Sequence, residues 1–147
     1  MRLQDIMTTD VITVSAAETL KKARTLMGLH GVHHLVVVDG RIVAGIVTDD
    51  MLRWGEAQDV GFVQDVMHRQ PVTAPPTMTV REAANLLRGR VSTVLPVVDD
   101  RQHLVGIVTI ADFLDLLGKG AVRPVAKSTR WTLKHRGVRP KVAAGRR

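Results

Sequence analysis

Cysteine and tyrosine are absent from the 147 residues, and Phe and Trp occur only twice each. Without cysteine there is no disulfide, no thiolate zinc site and no thiol nucleophile, and a reducing compartment is the natural setting. No apolar run approaches the roughly 18 residues that a membrane span requires. The opening Met1-Arg2-Leu3-Gln4-Asp5 leads into no apolar signal core. These absences predict a cytoplasmic protein with no membrane span. Also missing are a nucleophile–base set, a metal-ligand spacing and a phosphate-binding glycine loop, so the sequence predicts a binding protein without catalytic residues or a metal.

What is present is an aliphatic, valine-rich chain, 45% hydrophobic and 24% charged. That composition is ordinary for a soluble domain and favours buried strands. The charge is unevenly placed. Residues 118–147 hold ten of the 21 Lys and Arg and none of the 14 Asp and Glu, leaving 11 basic against 14 acidic residues in 1–117. The net charge of +7 therefore divides into a body of −3 and a tail of +10.

The body repeats itself. Asp5-Ile6-Met7-Thr8 returns as Asp65-Val66-Met67-His68, and Leu35-Val36-Val37-Val38-Asp39 returns as Leu95-Pro96-Val97-Val98-Asp99. Over residues 5–39, ten of 35 positions are identical at an offset of 60. One residue is then added in the turn after Asp99, and Gly45-Ile46-Val47-Thr48 returns as Gly106-Ile107-Val108-Thr109 at an offset of 61. Each copy predicts strand, helix, strand, strand, helix. The first strands fall near residues 11–14 and 72–74. The first helix of copy one buries Leu20, Ala23, Leu26, Met27 and His30, at near-helical spacing. Thr19 and Thr79 are N-caps, and Thr79 with Glu82 forms a capping box. Residues 35–39 and 42–47 form a hairpin about Gly40-Arg41, apolar enough for both faces to be buried. The second helices start after Thr48 and Thr109.

These blocks, in this order and twice over, resemble the CBS (cystathionine-β-synthase) domain, across about residues 3–117. The resemblance implies an α/β fold of two β-α-β-β-α CBS repeats, residues 1–58 and 59–117, packed as a pseudo-twofold pair (a Bateman module), followed by the basic C-terminal tail 118–147. It implies a homodimer, and inter-repeat clefts that bind AMP, ADP or ATP, or S-adenosylmethionine or NADH instead, so as to regulate a separate partner. For the main cleft it implies the Thr109 hydroxyl near phosphate, with Ala111 in the same motif, and the Asp112 carboxylate on the ribose. Thr8, Val11 and Ile12 would lie beside base and sugar, with Thr93 and Val94 approaching from the next strand. The residues themselves allow two roles for Thr109-x-x-Asp112, because that spacing is also a helix cap. A helix opening at Thr109 offers free N–H groups to an anion, and a glycine at 106 lets backbone approach a ligand.

Copy one departs from this pattern. Met51 stands where the ribose-binding Asp is expected, and Asp50 lies one position off, about 100° around a helix. His33, His34 and His68 would surround this second cleft with Thr48 and Asp50, and could respond to pH near neutrality. Asp49 and Asp50 oppose the helix dipole and would repel phosphate. In the tail, Trp131 among cations gives an alternative function: a dimerising scaffold whose residues 118–147 bind nucleic acid or another polyanion electrostatically.

Overall fold

A computed structural model describes residues 1–90 and 92–118. The expectations placed on residues 119–147, including polyanion contact and Trp131 stacking, lie outside the described residues. In chain order the elements are α1 (Leu3–Ile6), β1 (Thr13–Ser15), α2 (Leu20–His30), β2 (His34–Asp39), β3 (Ile42–Thr48), α3 (Asp49–Ala57), a 3-10 turn (Val63–Asp65), β4 (His68–Arg69), α4 (Val80–Arg88), β5 (Val94–Val98), β6 (Leu104–Thr109) and α5 (Ile110–Gly118).

The described residues form two compact units: Asp10–Pro71, and Met1–Thr9 together with the described residues between Val72 and Gly118. In the Asp10–Pro71 unit the sheet order is β1-β2-β3-β4. β1 runs parallel to β2, and the other neighbours are antiparallel. Leu35, Val36 and Val37 of β2 are fully buried, as an unbroken valine run requires. The five α2 positions expected to face inward are all buried. Thr19 caps α2 by accepting the Lys22 amide at 3.1 Å, and Gly31, at φ +66°, ends it in the left-handed conformation that glycine adopts without strain. Arg24 on α2 grips Glu56 on α3 with two hydrogen bonds, at 2.8 and 2.7 Å.

In the other unit, Leu3, Ile6, Ala74, Ala83, Leu87, Leu95, Val97 and Val108 form one core. The hairpin β5–β6 has the same irregularity as β2–β3, between Val97 and Val98 as between Val37 and Val38. Its extra turn residue is organised by Asp99, whose carboxylate accepts the Arg101 and His103 amides, each at 2.9 Å.

The opening block of each repeat closes the sheet of the other copy. Thr8 bridges Ile107, and the equivalent His68 pairs with Ile46. The backbone bonds Leu3 N to Met78 O, Gln4 N to Pro76 O and Val80 N to Met1 O have counterparts sixty residues away, in Val63 N to Glu18 O, Gln64 N to Ala16 O and Leu20 N to Gly61 O. The sequence division at residue 58 therefore does not coincide with the division into packed units.

Two expectations change. The strand near 72–74 is a single parallel bridge, Ala74 to Val97, because Pro71, Pro75 and Pro76 have no amide to extend a ladder. The glycine at 106 accommodates chain, where a ligand was expected, and the glycine at 45 does the same. A Cβ on Gly45 would lie 2.8 Å from the His68 carbonyl oxygen, and one on Gly106 would lie 2.5 Å from Met7 Sδ.

The capping box of α4 forms as expected: Glu82 accepts the Thr79 amide at 3.0 Å, and Thr79 Oγ1 accepts the Glu82 amide at 3.1 Å. The bonds from the Thr79 backbone and hydroxyl hold the Glu82 carboxyl below its ordinary pKa. A depressed folded pKa contributes stability above the unfolded value, and that stability is lost as pH falls through the folded one. Thr79→Ala should cost about 0.5–2 kcal/mol near neutrality. In denaturant melts the deficit should shrink below the carboxylate range, where protonated Glu82 no longer completes the box.

Candidate functional site

Each antiparallel hairpin delivers the chain from its last strand directly into a helix, and the first strand of the hairpin meets that helix start. In the unit holding the second repeat, Val94 is opposite Thr109, and the Thr93 carbonyl accepts the Ile110 amide at 3.0 Å. Thr93, Val94, Thr109, Ala111 and Asp112 are thereby assembled at the N-terminus of α5. Thr8 joins the same unit through reciprocal backbone bonds with Ile107 at 3.0 and 2.9 Å. Thr8, Val94 and Asp112 are buried, Thr109 is half-buried, and Thr93 and Ala111 are exposed.

Asp112 turns back on its own helix. Its Oδ2 accepts the Thr109 amide at 2.7 Å and lies 3.4 Å from the Thr109 hydroxyl. Both main-chain amides that open α5, those of Thr109 and Ile110, are thus used within the protein. The expectation of free N–H groups at Thr109 is corrected accordingly: the Thr109 amide is bonded to Asp112 and the Ile110 amide to the Thr93 carbonyl. Val11 and Ile12 belong to the other unit, where Ile12 is buried and its carbonyl accepts the Val36 amide at 3.4 Å.

The equivalent place in the Asp10–Pro71 unit carries different chemistry. Thr48 caps α3 through the Met51 amide at 3.4 Å, so the helix starts at the same position as α5 and Asp50 does not rotate into the place of Asp112. Asp50 is exposed and bonds Arg53 three residues on. Asp49 pairs with His33 at 3.1 Å and with Arg53 at 3.7 Å. His34 is half-buried opposite Thr48. His68 is exposed on β4. β3 lies between β2 and β4, which puts roughly 9–10 Å of sheet between the strands of His34 and His68. The three histidines therefore do not form one cluster. Among the described residues no group of three or more His, Cys, Asp or Glu is placed to hold a metal ion, and no helix is long and apolar enough to cross a membrane.

The Asp49–Arg53 pair follows from i,i+4 spacing on α3. The Asp49–His33 contact gave no signal in the sequence: it depends on the residue before β2 lying beside the start of α3, where the His33 carbonyl also accepts the Asp49 amide at 3.0 Å.

Two copies of a hairpin that ends on a helix N-terminus, each sheet closed by the opening block of the other repeat, define a tandem α/β module. The chain belongs to the CBS domain family, which matches residues 3–53 and 63–119. It is 36% identical over 111 residues to an inosine-5'-monophosphate dehydrogenase of Korarchaeum cryptofilum, covering 76% of this chain and 23% of that protein. It is 35% identical over 114 residues to the CBS domain-containing protein YhcV of Bacillus subtilis, covering 75% of this chain and 81% of that one. The chain thus spans about a quarter of the enzymes among its relatives. Among solved structures, the CBS domain pair of MJ0100 in complex with 5'-methylthioadenosine and S-adenosyl-L-methionine superposes with a TM-score of 0.76 at 28% identity, over 80% of this chain and 100% of that one. CBSX2 in complex with AMP gives a TM-score of 0.72 at 25% identity, over 82% of this chain and 98% of that one.

Proposed function

We propose that this chain is a regulatory CBS pair that binds an adenine-containing ligand at the α5 end of the second-repeat hairpin and passes the signal to a partner protein. The observation that carries the reading is the gathering of Thr8, Thr93, Thr109 and Asp112 in one unit around the start of α5. The hydroxyls of Thr93 and Thr109 offer donors and acceptors, and an ionised Asp112 offers the acceptors that a ribose diol needs. Binding replaces the Thr109 contacts of Asp112 with contacts to the sugar. That places the ligand in direct competition with the helix cap and couples occupancy to the start of α5. The adenine compounds carried by MJ0100 and CBSX2 support the ligand class. The relatives that carry this pair inside much longer enzymes support a regulatory role over a catalytic one.

The reading includes a homodimer. α5 exposes Ile110, Leu114 and Leu117, where the equivalent positions of α3 carry Asp49, Arg53 and Glu56. An apolar stripe at this spacing suits a helix that is covered in the assembly.

A melting screen against AMP, ADP, ATP, adenosine, S-adenosylmethionine and NADH tests the proposal. A ligand present at a hundredfold over its Kd stabilises the native state by about 2.7 kcal/mol. At least one adenine compound should raise the melting temperature in a saturable way. A flat response to all six contradicts the reading.

A further inference from the structure

The second helices of the two repeats are held to their own units in unequal ways. In the Asp10–Pro71 unit α3 packs against α2, and two devices seat it there. Gly55 lets the backbone come close: a Cβ at that position would lie 2.6 Å from Val66 Cγ1 and 2.8 Å from Leu20 Cδ1. Arg24 then clamps Glu56 with bonds of 2.8 and 2.7 Å. At the equivalent places the second repeat carries Leu116 for Gly55, Ala84 for Arg24 and Leu117 for Glu56. A leucine cannot repeat the approach of the glycine, and alanine with leucine makes no ion pair. Among the described residues α5 packs against β6 and has no contact with α4 to match that of α3 with α2. Phe113 is half-buried where its counterpart Leu52 is fully buried, and Asp112 is the one buried residue of α5.

We infer that α5 is the yielding element of the module, and that a ligand at its start supplies the anchor its own unit leaves out. The inference rests on the adenine-ligand reading above. Segments with few buried apolar contacts open at low cost. The residues gathered at the start of α5 come from separate segments: Thr8 from the opening block, Thr93 from the approach to β5, and Asp112 from the helix itself. A ligand that bonds all three ties the helix to the sheet, as Gly55 and the Arg24–Glu56 pair tie α3 to α2. The outward stripe of Ile110, Leu114 and Leu117 is the face that the homodimer reading covers, so a change in the seating of α5 reaches the second copy.

Amide hydrogen exchange on the full chain tests this, without ligand and with AMP or S-adenosylmethionine. Without ligand, residues 114–118 should exchange about tenfold or more faster than residues 53–57 once intrinsic rates are divided out, the effect of leaving one leucine-sized side chain incompletely buried. A compound present at a hundredfold over its Kd should slow residues 114–118 by about a hundredfold. Arg24→Ala should speed residues 53–57 by about two- to fivefold, the effect of one exposed ion pair, and leave residues 114–118 as they were. Equal protection of the two helices without ligand, or residues 114–118 that exchange unchanged while a compound binds, overturns this inference alone. Unchanged exchange of residues 53–57 in Arg24→Ala contradicts the clamp. If neither compound raises the melting temperature, the adenine-ligand reading falls, and this inference with it.

Discussion

Asp112→Asn should weaken binding of the best adenine ligand about a hundredfold, while Asp115→Asn on the same helix should leave it within a fewfold. A hydrogen bond to a charged group is worth about 1.5–3 kcal/mol, and a ribose diol gives Asp112 two of them. Even the lower figure, taken twice, amounts to about two powers of ten in Kd. Asparagine keeps the shape and one acceptor oxygen. It loses the charge, and its NH₂ group cannot accept from the diol. The Thr109 amide at 2.7 Å still finds the remaining oxygen, so the cap is weakened without being removed and the fold should persist. Parallel melts without ligand check this. A variant that melts near the wild type and binds a hundredfold more weakly separates the ligand role of Asp112 from its capping role. Equal binding by both chains would leave Asp112 as a cap alone.

Gly45→Ala should destabilise the protein by about 1–3 kcal/mol, the usual cost of forcing extra volume into a packed place. Gly28→Ala should stabilise it by about 0.5–1 kcal/mol. The contrast is informative because both changes add the same methyl group. At Gly45 the new Cβ meets the His68 carbonyl oxygen at 2.8 Å and Met67 Sδ at 3.0 Å. The methionine can move; the carbonyl is fixed in the β3–β4 ladder, where Ile46 pairs with His68. At Gly28, within α2, a Cβ meets nothing within 4 Å, so only the helix preference of alanine is felt. Denaturant midpoints at unchanged slope measure both. Gly106→Ala should fall between them, because the nearest atom there is the end of the Met7 side chain.

Much of the fold is legible in the residues alone. The hairpin at Gly40, the inward face of α2 and the Thr79–Glu82 box depend on neighbours within a few residues, and such patterns survive in a single sequence. The closing strands were not legible. β4 is two residues long and its counterpart at Thr8 is a single bridge, too short to show any periodicity. Their partners, Ile46 and Ile107, belong to the hairpin of the other copy, so the repeated Asp-x-Met block was visible as a motif with no sign of where it packs. The same blindness affected the glycines: their need for space was evident, but the atom claiming that space was not. For Asp112, spacing alone left a cap and a ligand role open. The structure displays the cap, and the ligand role is the proposal that the cap geometry makes testable. For the histidines, proximity in the repeat alignment suggested one group, but a strand between His34 and His68 keeps them apart.

A crystal structure of the chain grown with the tightest compound of the melting screen tests the central claim most directly. The predicted result is one adenine ligand per chain, with its ribose hydroxyls bonded to Asp112, the Thr109 contacts of that carboxylate released, and the Asp49–Arg53–His33 network intact with no ligand beside it. A ligand seated at the start of α3, or an Asp112 still turned back on Thr109 while the compound binds elsewhere, would contradict it.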